Sequence, residues 1–209
     1  MRLDHVSYVA SHDQISDVVT RIGSQIRTAF VDGGIHPKFG TRNFIAPLLS
    51  DQYIEVVCPI EHPATDLTPF GQVVKKKSES GGGWLAWVIS ANEIQKIETI
   101  LARSAVLGNR KKPDGINLAW KQLGVTDVLK YPQNPFFIQW LTGTHPSKEG
   151  KPTASISKIK LSGVVTNSHA PIINQVDFGG ACIEVHKTNQ HEGILSVDFL
   201  VKNDIVTIF

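Results

Sequence analysis

The side chains of this 209-residue chain best suited to moving a proton or gripping a polar ligand are three histidines and one glutamate. His5 lies in Leu3-Asp4-His5-Val6-Ser7-Tyr8-Val9 and Glu55 in Gln52-Tyr53-Ile54-Glu55-Val56-Val57, both runs of strand character. Imidazole titrates near neutral pH, and a carboxylate shielded from water needs a partner or a task. His36 and His145 occur in Gly34-Ile35-His36-Pro37 and Gly143-Thr144-His145-Pro146. There proline stiffens the turn and would fix each ring at the lip of a pocket, as a base or as a hydrogen-bonding group for substrate. Thr41 and Asn43 share one strand face and could bond a polar ligand. Tyr53, Trp84, Trp120 and Phe137 would supply aromatic wall to a small-ligand site. His12, His62, His169, His186 and His191 have no role assigned.

These residues belong to two segments of the same grammar. The first runs from the strand at Leu3 to the strand ending near Val57. The second runs from Gly83-Trp84-Leu85-Ala86-Trp87-Val88-Ile89 to Pro135-Phe136-Phe137-Ile138-Gln139-Trp140-Leu141. His5 and Glu55 stand 50 positions apart, Trp84 and Gln139 55. Each segment reads strand, helix, then three strands, a self-similarity that marks a duplicated unit. Ile15, Val18, Val19, Ile22 and Ile26 predict a helix over 12–26, and strands follow over 28–36, 41–49 and 52–58. In the second unit the expected elements are a helix over 91–106 and strands near 116–124 and 135–141, with 109–114 as a basic, turn-rich connection. The expected organisation is a first βαβββ module over 1–60, a linker by composition over 61–82, a second module over 83–146, and a strand-rich extension over 147–209. In that extension a strand, a short helix (168–176) and three strands suggest a degenerate third module.

A duplicated βαβββ unit curls its sheet into a half-barrel whose concave face collects polar groups. The expected fold is therefore α+β: paired modules forming a curved half-barrel, with the C-terminal extension beside it. Side chains alternate faces along a strand, so the uniformly apolar set goes under the helix. On that rule Val6, Tyr8, Ile54 and Val56 lie under the first helix, and His5 and Glu55 face the cup. Leu85, Trp87, Ile89, Phe136, Ile138 and Trp140 lie under the second helix, and Trp84, Phe137 and Gln139 face the cup. Parity thus nominates four equivalent positions: His5, Glu55, Trp84 and Gln139.

Asp4-His5-Val6 with Tyr53-Ile54-Glu55, repeated in βαβββ order, resembles the vicinal oxygen chelate superfamily. Gly33-Gly34-Ile35-His36-Pro37, Gly40-Thr41-Arg42-Asn43 and Pro135-Phe136-Phe137-Ile138-Gln139-Trp140 resemble its glyoxalase-like domain branch. The likeness covers 3–146 well and the last sixty residues poorly. It implies a divalent ion (zinc, nickel, manganese or iron) held by His5, Glu55 and Gln139. The residues themselves nominate Glu55 and His36 as catalytic groups and place Trp84, Thr41, Asn43, Phe137 and His145 about the substrate. Trp84 departs from the implied four-ligand pattern, because an indole cannot bind a metal. The implied activity is metal-dependent lyase or isomerase chemistry on a small oxygenated metabolite. The alternative is a metal-free binding or sequestering protein of the resistance type, with Trp84 as a stacking wall.

Bulk composition bounds the remaining classes. A net charge of +2 is too small to argue for nucleic acid, and the run Lys75-Lys76-Lys77 reads as a solvated linker. No apolar run approaches the roughly 20 residues of a membrane helix, so no membrane partner is expected. Two cysteines, Cys58 and Cys182, are too few for a disulfide framework and read as buried thiols. A cytoplasmic protein with a small-molecule ligand, able to form a homodimer, is the expectation.

Overall fold

The computed structural model describes residues 1–142, 144–187 and 192–209; Gly143 and His191 lie outside the described residues. The first module comprises β1 (Arg2–Val9), α1 (Ile15–Ile26), β2 (Val31–His36), β3 (Thr41–Leu48) and β4 (Gln52–Pro59). Two helices follow, α2 (Pro63–Leu67) and α3 (Pro69–Glu79). The second module is β5 (Gly83–Ser90), α4 (Ile94–Leu101), β6 (Val106–Lys111), β7 (Asn117–Leu123) and β8 (Phe136–Trp140). The extension holds β9 (Ala154–Ser162), α5 (Ala170–Ile173), β10 (Cys182–His186), β11 (Gly193–Val201) and β12 (Asp204–Ile208).

The eight strands of the two modules close into one barrel in the order β1-β4-β3-β2-β6-β7-β8-β5. In each module the first strand pairs in parallel with the last, β1 with β4 and β5 with β8. The modules meet at β1–β5 and, through the single pair Ile35–Lys111, at β2–β6. α1 buries Ile15, Ile22 and Ile26 in the core it shares with Val6, Ile54 and Val56, so its apolar stripe lands as expected. α4 ends at Leu101 rather than near 106 because Ala102 turns left-handed (φ 51°) and its N–H returns to the Glu98 carbonyl. The stretch expected as a connection over 109–114 carries the end of β6, which pairs with β7 across it.

The segment 61–82 is helical where composition suggested a linker. Thr68 caps α3 by accepting from the Gly71 N–H, and Pro69 occupies the first turn, where its missing N–H costs nothing. α3 turns Phe70, Val73 and Val74 into a core with Val9, Val57, Ala86 and Val88 of the barrel strands. Lys75, Lys76 and Lys77 are thus helix residues.

The extension repeats the element order of a module without its pairing. Its sheet runs β10-β9-β11-β12, so the first strand β9 sits between β10 and β11 and does not touch β12. Ile156, Ile159, Val197 and Phe199 of this sheet pack into the core that contains α1 and the outward faces of β1 and β5. Cys58 is buried as expected, whereas Cys182 is exposed.

Candidate functional site

Two β-bulges decide which side chains enter the barrel. In the β1–β5 pairing Leu3 faces Ile89 and His5 faces Val88, which leaves Asp4 as an extra residue. A bulge re-aims the side chains around it. Leu3 joins the core beneath the helices, while Asp4 and His5 bond each other (Asp4 Oδ1 to His5 Nδ1, 2.8 Å). The second bulge leaves Leu85 extra, since Ser7 pairs with Ala86 and Tyr8 with Trp84. It turns Trp84 out of the barrel.

The barrel encloses a cavity of about 30 Å³, with His5, His36, Asn43, Tyr53, Glu55 and Arg110 among its lining. Phe70, Trp120, Gln122, Phe136, Ile138 and Trp140 complete the wall. Glu55 is the hub. Its Oε2 accepts from the Ser7 hydroxyl and its Oε1 from the Asn43 amide, both at 2.8 Å. The Nε2 atoms of His5 and His36 each stand 4.0 Å from a Glu55 oxygen. Burial opposes charge on Glu55, but the two imidazoles and the bonds from Asn43 and Ser7 outweigh it and hold its pKa below the ordinary value. Burial pushes the His36 pKa down to about 4, with Arg110 and His5 adding to the shift and Glu55 opposing it. His36 Nδ1 lies 2.8 Å from the Thr41 hydroxyl.

His5 is stacked on Tyr53, with ring centroids 4.3 Å apart. Asp4, fully buried, also meets His145 Nε2 at 3.1 Å and accepts from Trp140 Nε1 at 3.3 Å. Burial would raise the Asp4 pKa, and the hydrogen bonds of His145 and His5 more than reverse that, so the carboxylate stays ionised. His145 lies behind Tyr53 and Trp140, two residues of the cavity wall, and reaches the site through Asp4.

Arg110 is almost wholly buried and donates from Nη2 to Glu149 Oε1 at 3.0 Å. Its Nε and the Asn43 Oδ1 are buried without hydrogen-bond partners. Gly33 makes room for both: a Cβ there would lie 2.2 Å from Asn43 Oδ1 and 3.0 Å from Arg110 Nη1.

The structure therefore brings together His5, His36, Thr41, Asn43 and Glu55, with His145 behind them. Gln139, Trp84 and Phe137 are elsewhere. Gln139 accepts from the Ile94 N–H (3.3 Å) and donates to the Asn92 carbonyl (2.7 Å) at the start of α4. Trp84 donates from Nε1 to the Ile208 carbonyl and meets Tyr8 edge-on. Phe137 is fully buried in the outer core and stacks on His169. β8 runs parallel to β5 with Phe136 beside Val88 and Phe137 beside Ile89, so its inward face is Phe136, Ile138 and Trp140, the reverse of the expectation. The face that carries the polar Gln139 is the outer one, because its amide is taken up at the start of α4, and the uniformly apolar set lines the cavity instead of packing beneath the helix.

Asp4, Ser7, Arg110 and Gln122 went unnominated. Gly108 and Arg110 are the buried residues of β6, and Leu118, Trp120 and Gln122 alternate as buried residues in β7, a signal that the turn-rich reading of 109–114 hid.

The expected metal shell spans both modules, and these residues do not form it. Among the described residues, no three His, Cys, Asp or Glu side chains are grouped to hold a metal ion. Gln139 points outward to the start of α4, and among the described residues the second module offers the cavity no imidazole or carboxylate.

Paired βαβββ modules closed around a polar cavity define a vicinal oxygen chelate fold. The model of the glyoxalase-like domain family matches residues 3–175, and the chain belongs to that family. Among solved structures, a hypothetical protein from Staphylococcus aureus is similar at 17% identity and a TM-score of 0.58, over 99% of this chain and 84% of that one. Methylmalonyl-CoA epimerase from Mycobacterium tuberculosis is 11% identical with a TM-score of 0.45, over 68% and 89% of the two chains. A variant of the Streptomyces coelicolor methylmalonyl-CoA epimerase, in complex with 2-nitronate-propionyl-CoA, is 12% identical with a TM-score of 0.46, over 70% and 98%. The likeness to the Staphylococcus aureus protein concerns the fold alone. No curated protein matches the sequence. No described helix is long and apolar enough to cross a membrane.

Proposed function

We propose that the barrel is the active site of a lyase- or isomerase-type enzyme. It would bind a carboxylate head that carries a carbonyl or hydroxyl beside it and move a proton on the neighbouring carbon. The observation that carries this reading is the pair of buried, unpartnered polar atoms, Asn43 Oδ1 and Arg110 Nε, on residues that line the cavity with Glu55. A buried donor or acceptor left unmatched costs about 1–3 kcal/mol. A ligand that brings an anionic acceptor to Arg110 and a hydroxyl donor to Asn43 relieves both, and guanidinium groups favour carboxylates.

Glu55, ionised at neutral pH, is the base. His36 is neutral there; with a hydroxyl at Nδ1 and a carboxylate before Nε2, its proton belongs on Nε2. A neutral N–H so placed steadies negative charge developing on a ligand oxygen. Asp4 fixes the His5 ring, whose Nε2 faces Glu55 as a second proton carrier. A cavity of about 30 Å³ suits a ligand of few heavy atoms. Free rather than paired cysteines support a cytoplasmic setting.

The aromatic wall of Tyr53, Trp120, Phe136 and Trp140 supports a second reading, a metal-free protein that binds or sequesters its ligand without turning it over. One experiment separates the two. Two- to four-carbon 2-oxo and 2-hydroxy acids are incubated with the protein in D₂O, and the protons beside the carbonyl or hydroxyl are followed by NMR. Enzyme-dependent exchange is expected, slowed about 10²–10⁴-fold by Glu55→Gln. Saturable binding without exchange would establish the sequestering reading in its place, and neither binding nor exchange would end both.

A further inference from the structure

A second cavity, of about 450 Å³, lies directly against the first. The two share Phe70 and Gln122 as walls. The outer one continues over Phe39, Val106, Leu107 and Val125, with Lys38 and Arg103 also on its lining. Val106 and Leu107 leave more than half of their surface in solvent, an unusual state for two successive apolar residues in a strand. The Arg103 guanidinium is paired with Asp127, and Lys38 stands with it on the rim. Between the cavities stand the rings of Phe70 and Phe39, 5.4 Å apart and each edge-on to His36. The inner chamber holds only a small head group. The outer one has the size and the apolar lining of a small-molecule site.

We infer that the outer cavity seats the apolar chain of an elongated carboxylate whose head lies in the barrel, with the Phe70 ring as the partition the chain must displace. The inference rests on the carboxylate reading of the barrel. The occupant follows from continuity, because a tail leaving the barrel past Phe70 has this cavity as its next space. α3 carries Phe70 at its start, so the helix between the modules sets how long a ligand can be.

The test is a homologous series of straight-chain carboxylates, acetate to octanoate, titrated calorimetrically against the full chain. In the native protein affinity should rise roughly three- to fourfold per added methylene until the outer cavity is filled. Leu107→Arg puts a charge in the path of the chain at a half-exposed position the fold does not depend on, which circular dichroism verifies. It should bring the ratio of octanoate to acetate affinity close to one. A native series that does not rise, or a rise that survives Leu107→Arg, overturns the inference. Arg110→Met separates it from the barrel reading. If acetate and propionate bind through Arg110 and length adds nothing, only the tail site falls. If long members bind through Leu107 and Arg110→Met changes none of them, only the carboxylate reading falls. A series in which no member binds removes both.

Discussion

The two modules share one topology and divide the work of the cavity between them. From the first come His5, Ser7, His36, Thr41, Asn43 and Glu55, where Ser7 and Asn43 bond Glu55, Thr41 bonds His36, and both imidazoles face Glu55 at 4.0 Å. From the second come Trp120, Phe136, Ile138 and Trp140, with Arg110 and Gln122 as its polar groups. Equivalent strands thus carry a carboxylate at Glu55 on β4 and an aliphatic or aromatic face on β8. The backbone repeat guarantees where side chains point; it does not guarantee what they are. On the reading proposed above, the polar half would carry the chemistry and the apolar half would lower the local dielectric around it, which strengthens charge interactions inside.

If that division is right, substitutions of similar energetic size should fall on different observables in the two halves. Glu55→Gln should remove proton exchange about 10²–10⁴-fold while the protein still unfolds cooperatively, since the amide keeps the shape and one acceptor. Phe136→Ala, in the equivalent half, should cost about 3–5 kcal/mol of stability in urea denaturation by opening a void in a packed core. Equal stability losses in the two variants would break the comparison.

Acid should find the polar half first. His36 has an ordinary pKa of 6.5 and about 4 in the folded protein, so between those values the unfolded chain binds more protons. Its contribution is full above 6.5 and is lost as pH falls through about 4, an effect on the order of 3 kcal/mol. Asp4 and Glu55, both depressed, extend the loss in the same direction below the usual carboxylate range. Urea midpoints at pH 7, 5.5 and 4.5 should therefore fall steadily, and His36→Phe should flatten the fall. A native protein equally stable at pH 7 and 4.5 would show that His36 is not held neutral by burial.

The fold was legible in the residues because helical spacing and strand punctuation survive in both modules; even the concave placement of His5 and Glu55 follows from alternation. What alternation could not reveal were the extra residues at Asp4 and Leu85. A bulge leaves no mark in composition, yet it brings two neighbours, Asp4 and His5, into one network and sends Trp84 out. Arg110 was hidden differently. Its strand is short and basic, and burial of a guanidinium is decided by Glu149, 39 residues further on. The C-terminal segment repeats the element string of a module, but pairing is a long-range property, and its sheet is wired another way.

The smallest expected effect tests the same lesson at the outer surface of the second module. Gln139 stands where a strict repeat of Glu55 would put a ligand-facing group, and instead its amide oxygen takes the Ile94 N–H that opens α4. Helix starts leave N–H groups unsatisfied, and losing a side-chain acceptor there costs roughly 1 kcal/mol. Gln139→Ala should lower stability by about that amount, read from urea denaturation, because the Asn92 carbonyl loses its partner as well. Proton exchange and carboxylate affinity should not follow, since no Gln139 atom lines the cavity. A drop in exchange beyond a few-fold, with stability preserved, would mean that β8 presents its other face in the working protein, and the polar and apolar halves would have to be reassigned.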